Sequence, residues 1–210
     1  MQLFFVEGNI GTGKSTFLKM VEKHFGARAQ VIYEPVDVWT SFIDESTGKN
    51  ILHYFYENQC KYAYTFQNIA LLSRLERLKS IDTSKDFVFI ERSIWSDKRV
   101  FAENCFESGF MNNLEFKLYK SWFKWIEESV EHLVKEKKFI YLVSPVETCD
   151  ARIHVRNRPE ENSISRDYLT LLERKHEAWL SGNPECIRLD SRINFKDDVQ
   201  FLEMIKPIIS

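Results

Sequence analysis

The chain has 210 residues, enough for one well-buried α/β domain and cramped for two. Charged residues make up 29% and apolar residues 44%, an ordinary soluble balance, and a net charge of −2 argues against long nucleic acid as a partner. No apolar run has membrane-spanning length, so no membrane partner is expected. Cys60, Cys105, Cys149 and Cys186 stand singly without metal-ligand spacing, as free thiols do in a reducing compartment. The sequence enters its first strand directly, with no signal or transit segment, so a cytoplasmic chain is expected.

The first apolar, β-rich run covers 2–7 and leads into Gly8, Asn9, Ile10, Gly11, Thr12, Gly13, Lys14 and Ser15, a match to G-x-x-x-x-G-K-[ST]. From 14 to 25 apolar residues then recur at helical spacing. Strand, glycine loop and helix form the context this pattern needs to hold a nucleoside triphosphate. Backbone N–H groups from Gly8 to Thr16 would converge on the phosphates at a helix start. Lys14 would reach the β- and γ-phosphates, and the Ser15 hydroxyl would bind the accompanying Mg²⁺.

A second run at 30–33 ends in Tyr33-Glu34-Pro35-Val36. Alone, Glu34 reads as a loop residue. Beside a nucleotide loop it reads as the base that a transfer to a hydroxyl requires. A long helical stretch is predicted over 50–80, rich in flat and amide side chains, among them Tyr54, Phe55, Tyr56, Phe66 and Gln67. The aromatic stripe reads mainly as core. Gln67 is the exception, because its amide can make two hydrogen bonds to a base edge. The strand at 87–90 runs into Glu91-Arg92-Ser93, where an acidic residue can hold the nucleotide's metal. Arg92 beside it could steady a transferring phosphoryl group or form a structural ion pair.

Helices are predicted over 94–106 and 112–136, the latter carrying Phe116, Trp122, Phe123, Trp125 and Ile126 as core or as a dimer face. A strand at 138–143 precedes a helix at 147–156. Arg152 and Arg156 share a face of that helix, and Arg158 follows before Pro159. These suit either a solvated basic helix or a lid of about 150–162 closing over phosphates. A helix at 165–180, a strand at 186–189 and a helix at 196–206 complete the chain. Strands alternating with helices predict a parallel sheet covered on both faces, with ligands beyond the strands' carboxyl ends.

Taken in order, Gly8–Thr16, Glu34-Pro35-Val36, Thr65-Phe66-Gln67, Leu72-Ser73-Arg74, Glu91-Arg92-Ser93-Ile94-Trp95-Ser96-Asp97 and the Arg152–Glu161 segment resemble the deoxynucleoside kinase family, most closely its deoxycytidine/deoxyguanosine kinase branch. The resemblance covers nearly the whole chain. It implies an α/β P-loop kinase fold with a five-stranded parallel sheet and an arginine-rich lid, forming one domain over 1–210. It also implies ATP or another triphosphate as donor, Mg²⁺, a deoxynucleoside 5′-hydroxyl as acceptor, and a homodimer.

Carried over by position, the general base falls on Glu34, with Arg92 near the 5′-oxygen and Glu91 with Ser15 on the metal side. Tyr56 and Glu161 match the pair that holds the sugar 3′-hydroxyl, and Gln67 matches the base reader. Phe66 and Phe101 match the rings that sandwich the base, and Leu52 and Phe55 fall in the same pocket. Arg74 and Asp97, with small Ala70, match a pair that disfavours the thymine methyl, so deoxycytidine or deoxypurines are expected over thymidine. Phe55 and Trp95 depart from the residues common in relatives and are expected to add bulk near the base. With the sequence entering its first strand directly, no N-terminal extension of the kind that targets some relatives to organelles is expected.

Two rivals share the fold. A nucleoside monophosphate kinase of the thymidylate type would place Arg before Glu-Pro, where this chain has Tyr33. A non-catalytic accessory subunit could lose Lys14, Glu34 or Arg92, and all three are present. A switch GTPase is disfavoured because no N-K-x-D base reader follows the loop.

Overall fold

The computed structural model describes residues 1–193, 195 and 197–209. Its five strands, β1 (Gln2–Glu7), β2 (Ala29–Ile32), β3 (Phe87–Glu91), β4 (Lys137–Val143) and β5 (Cys186–Asp190), lie in the order β2-β3-β1-β4-β5. Every pairing is parallel, with Val6 beside Glu91 and Glu7 beside Tyr141. Alternation along β1 explains why the sheet is buried on both sides. Leu3 and Phe5 join one core, and Phe4 and Val6 join the other.

Helix α1 (Lys14–Phe25) and α10 (Asp198–Ile209) cover the second face. The first face is covered by α2 (Val36–Ser41), α3 (Ile51–Glu57), α4 (Gln59–Leu78) and α7 (Asn113–Val134). Helices α8 (Val146–Arg156) and α9 (Arg166–Leu180) build a smaller cluster around Ile10 and Val100. After β1 the chain places β2 and β3 on one side and β4 and β5 on the other. This reversal opens a crevice at the carboxyl end of β1, where the glycine loop leaves the sheet.

The predicted elements differ from the observed ones in informative places. The helix predicted over 50–80 is two helices. Asn58 leaves helical geometry at φ −148°, and its side chain accepts from Lys61 N to start α4. Helix α2 was not predicted, since six residues anchored by one buried side chain, Trp39, show no periodicity. The stretch predicted over 94–106 is a short α5 (Ile94–Ser96), a π-helical turn from Asp97 to Ala102, and α6 (Glu103–Glu107). The C-terminal helix predicted over 196–206 is found from Asp198 onward, and Lys196 lies outside the described residues. All four cysteines are free. Among the described residues no helix is long and apolar enough to cross a membrane.

Candidate active site

A cavity of about 1060 Å³ occupies the crevice, running from the glycine loop to α3 and α4. At the loop end, two glycines are demanded by sterics. Gly8 has φ 142°, and a Cβ there would lie 2.5 Å from the Leu142 carbonyl oxygen. Gly11 has φ 83°, and a Cβ there would lie 2.4 Å from the Cys149 oxygen. Asn9 shapes the loop from inside, donating to Leu169 O at 2.8 Å and accepting from Ile10 N at 2.9 Å. Thr12 Oγ1 donates to Asn9 O at 3.0 Å. Helix α1 begins at Gly13 in left-handed geometry with no side-chain cap and no acidic residue in its first turn. Its leading N–H groups are thereby left for an anion.

Lys14 is buried, and its Nζ donates to Gly8 O at 3.1 Å and Asn9 O at 2.9 Å. Burial pulls its amine down to about 7, and the Arg92 charge pushes the same way against Glu91 and Glu34. Ser15 Oγ donates to Glu91 Oε1 at 2.8 Å, which joins a hydroxyl and a carboxylate from opposite walls. An all-oxygen pair of this kind suits Mg²⁺ bound partly by substrate phosphates. No group of three His, Cys, Asp or Glu that could cage a metal exists among the described residues.

In the middle of the cavity Glu34 meets two buried guanidinium groups. Arg92 Nε lies 3.1 Å and Arg74 NH2 lies 3.2 Å from Glu34 Oε1. Burial alone would raise the Glu34 carboxyl, but Arg92, Arg74 and Lys14 outweigh it and hold it below its ordinary value. Arg92 occupies left-handed backbone geometry at φ 64°, costly for a side-chain-bearing residue, and its N–H is held by Val6 O at 3.0 Å. That turn swings its side chain off the end of β3 into the cavity, with the guanidinium 4.8 Å over the Phe101 ring.

Arg74 is 2% exposed and fully committed. Nε and NH2 donate to the two Asp97 oxygens at 2.8 and 3.1 Å, and NH1 donates to Glu91 O at 3.0 Å. Asp97 and Phe101 both come from the π-helical turn, a geometry often retained at functional sites. At the α3/α4 end, Phe55 stacks on Phe66 with centroids 4.5 Å apart, and Trp39 meets Phe66 edge-on. Leu52, Tyr56, Gln67 and Ala70 line the same end. Gln67 donates to Cys105 Sγ at 4.0 Å, and its Oε1 is buried without a partner.

The structure therefore gathers the sequence-predicted residues around one cavity, except that Gly8, Asn9 and Thr12 lie behind its lining as scaffolding. Three side chains make contacts that spacing in the sequence does not specify. Arg152 belongs to the loop's support: NH1 donates to Thr12 O at 3.0 Å and NH2 to Ser191 O at 2.8 Å. Glu161 binds arginines of its own segment, accepting from Arg156 Nε at 3.1 Å and Arg158 NH1 at 3.4 Å. Trp95 adds no bulk to the cavity. It packs edge-on against Phe5 and Phe139 in the core and donates to Glu127 Oε1 at 2.7 Å.

The sequence reading missed Val36 and Trp39 at one end of the lining and Arg192, Ile193 and Phe195 at the other. Only position after a strand could have signalled the latter three, because β5 ends at Asp190.

Compared with known proteins, residues 4–207 match the family described as deoxynucleoside kinase. Deoxycytidine kinase 2 of Gallus gallus is 36% identical over 192 residues, covering 83% of this chain and 72% of the relative. Deoxycytidine kinase of Homo sapiens is 33% identical, covering 98% of this chain and 90% of the relative. Mitochondrial deoxyguanosine kinase of Xenopus laevis is 31% identical, covering 90% and 77%.

Proposed function

The chain belongs to the deoxynucleoside kinase family, and from this we propose that it moves the γ-phosphoryl group of ATP to the 5′-hydroxyl of a deoxynucleoside. The observation that carries the reading is convergence on one cavity. Lys14, Ser15 and Glu91 stand at the glycine loop, Glu34 and Arg92 in the middle, and Gln67, Phe66 and Phe101 around the far end. We read residues 1–210 as one catalytic domain with a lid at about 150–162.

In this reading the donor's phosphates lie on the loop and the N-terminus of α1, with Lys14 turning from the loop carbonyls to the phosphate oxygens. Ser15 and Glu91 hold Mg²⁺, which screens the phosphate charge when bound. The acceptor's base slides between Phe66 and Phe101 and is read by Gln67, and its sugar meets Tyr56 and Glu161. Glu34, kept ionised by its arginine neighbours, accepts the 5′-hydroxyl proton as that oxygen bonds to the γ-phosphorus and the bond to the β-phosphate oxygen breaks. Arg92 then bears charge on the transferring group. Arg156 and Arg158 reach the phosphates by exchanging Glu161 for them, which frees Glu161 for the sugar.

The Arg74–Asp97 pair fills the space beside the base that a thymine methyl would need, so deoxycytidine and deoxypurines are favoured. The exposed faces of α4 and α7, with Leu72, Leu118, Trp122 and Trp125, form the homodimer contact.

The test is product identity. Incubation with Mg·ATP and deoxycytidine should give the 5′-monophosphate, seen by mass and phosphorus NMR. Turnover restricted to nucleoside monophosphates would move the chain to the rival class.

A further inference from the structure

Behind Arg92 lies a buried polar group that the reaction above does not use. Glu7, the last residue of β1, is 0% exposed, and its carboxyl faces the Ser93 and Ser96 hydroxyls and the charges of Arg92 and Arg74. Its position closes a ring of contacts. Glu7 is the register partner of Tyr141 on β4, and parallel neighbours point to the same face of a sheet. Tyr141 stacks on His176 of α9 with centroids 5.9 Å apart and planes within 5°. His176 meets Phe101 edge-on at 6.5 Å, and Phe101 lies under the Arg92 guanidinium. The Arg92 N–H returns to Val6 O, one residue before Glu7.

Two polar atoms near this ring are left without a direct partner. Arg92 NH1 is a buried donor without a partner. His176 is fully buried. Its Nδ1 lies 2.7 Å from Leu172 O and so carries the proton, which leaves Nε2 as a bare acceptor without a partner. Arg92 NH1 and His176 Nε2 are thus an unpaired donor and an unpaired acceptor, and the Glu7 carboxyl, beside the Ser93 and Ser96 hydroxyls, attracts the Arg92 charge. Buried polar atoms rarely remain unpaired, and ordered water commonly joins those too far apart to meet directly. Arg92 also needs a second hold. Its backbone is in left-handed geometry, and its ion-pair partner, Glu34, must also receive the substrate hydroxyl.

We propose that Glu7 is a positioning residue for the transfer, holding the outer edge of the Arg92 guanidinium through buried water, with His176 as a second acceptor. Arg92 then keeps its inner edge on Glu34 and the reacting oxygen while the cavity fills and empties. Glu7 acts through Arg92 and touches neither nucleotide. This rests on the reading of Arg92 as a group at the reaction centre.

Glu7→Leu, Glu7→Gln and His176→Phe separate a positioning role from a packing role. For Glu7→Leu we expect at least a tenfold loss of kcat with the deoxynucleoside KM changed less than threefold. Glu7→Gln, which keeps two polar atoms, should stay within threefold of wild type. His176→Phe, which keeps the stack on Tyr141, should lose kcat in the same manner and supplies the result if Glu7→Leu does not fold. The deciding measurement is the cycle with Arg92→Ala: in that background Glu7→Leu or His176→Phe should cost less than twofold further. An equal loss with and without Arg92, or full activity of both apolar variants, overturns the proposal while the kinase reading stands. A wild-type protein that phosphorylates no deoxynucleoside removes both.

Discussion

In the proposed transfer, Glu34 would serve as a base positioned by charge more than by basicity. Two buried arginines hold its carboxyl below the ordinary value, so it is ionised at neutral pH and oriented before an acceptor arrives. Glu34→Gln keeps the shape and removes the proton acceptor, so kcat should fall by roughly 10²- to 10⁴-fold with KM little changed. Steady-state kinetics with deoxycytidine check this, and an equal rise in KM would assign Glu34 to binding.

A second residue-scale expectation concerns His176, which burial, with Arg92 and Lys14, keeps neutral far below its ordinary value near 6.5. The unfolded chain binds a proton there below about pH 6.5 and the folded chain does not. The folded state therefore loses stability as pH falls, by up to about 1.4 kcal/mol per unit. His176→Phe should flatten this slope between pH 6.5 and 5 in urea denaturation compared at each pH, whereas parallel slopes would show a histidine that charges freely.

At the scale of elements, Arg74 ties together α4, the π-helical turn and the end of β2 through Asp97 and Glu34. Removing the arginine alone strands the buried Asp97 carboxylate and leaves Glu34 paired with Arg92 alone. Arg74→Met should cost about 3–5 kcal/mol, and Arg74→Met with Asp97→Ala should recover most of it. Calorimetry reads the stability. The double variant should also raise thymidine turnover relative to deoxycytidine by tenfold or more, since the space beside the base is no longer occupied by a charge pair.

The strands, α1, α7 and α9 were legible because apolar spacing alone fixes them, and Gly8 to Ser15 because sterics admit few residue types. The break at Asn58, the helix around Trp39 and the π-helical turn were not legible. Each depends on a local side-chain hydrogen bond or a tertiary contact that leaves no period in the sequence. Motif positions found Glu34, Gln67 and Arg74, but spacing could not tell that Arg152 braces the loop or that Glu161 binds arginines. Trp95 was misjudged because its ring turns into the core, a direction no sequence pattern carries.

On the scale of the whole molecule, the reversal of strand order beside β1 brings the ends of β1, β2 and β3 to one crevice, which is why residues as far apart as Lys14 and Asp97 share it. The outer side of α7 leaves Trp122 and Trp125 more than half exposed, beside Leu72 of α4. Substituting Glu for Trp122 should halve the mass seen in sedimentation if this face joins two copies, and an unchanged mass would place the contact elsewhere.

The central claim is met most directly by kcat/KM for deoxycytidine, deoxyadenosine, deoxyguanosine, thymidine and the corresponding monophosphates with Mg·ATP. The expected result is turnover of deoxycytidine or a deoxypurine nucleoside above thymidine, with little turnover of any monophosphate. Preference for a monophosphate, or no transfer to any nucleoside while ATP still binds, would contradict it.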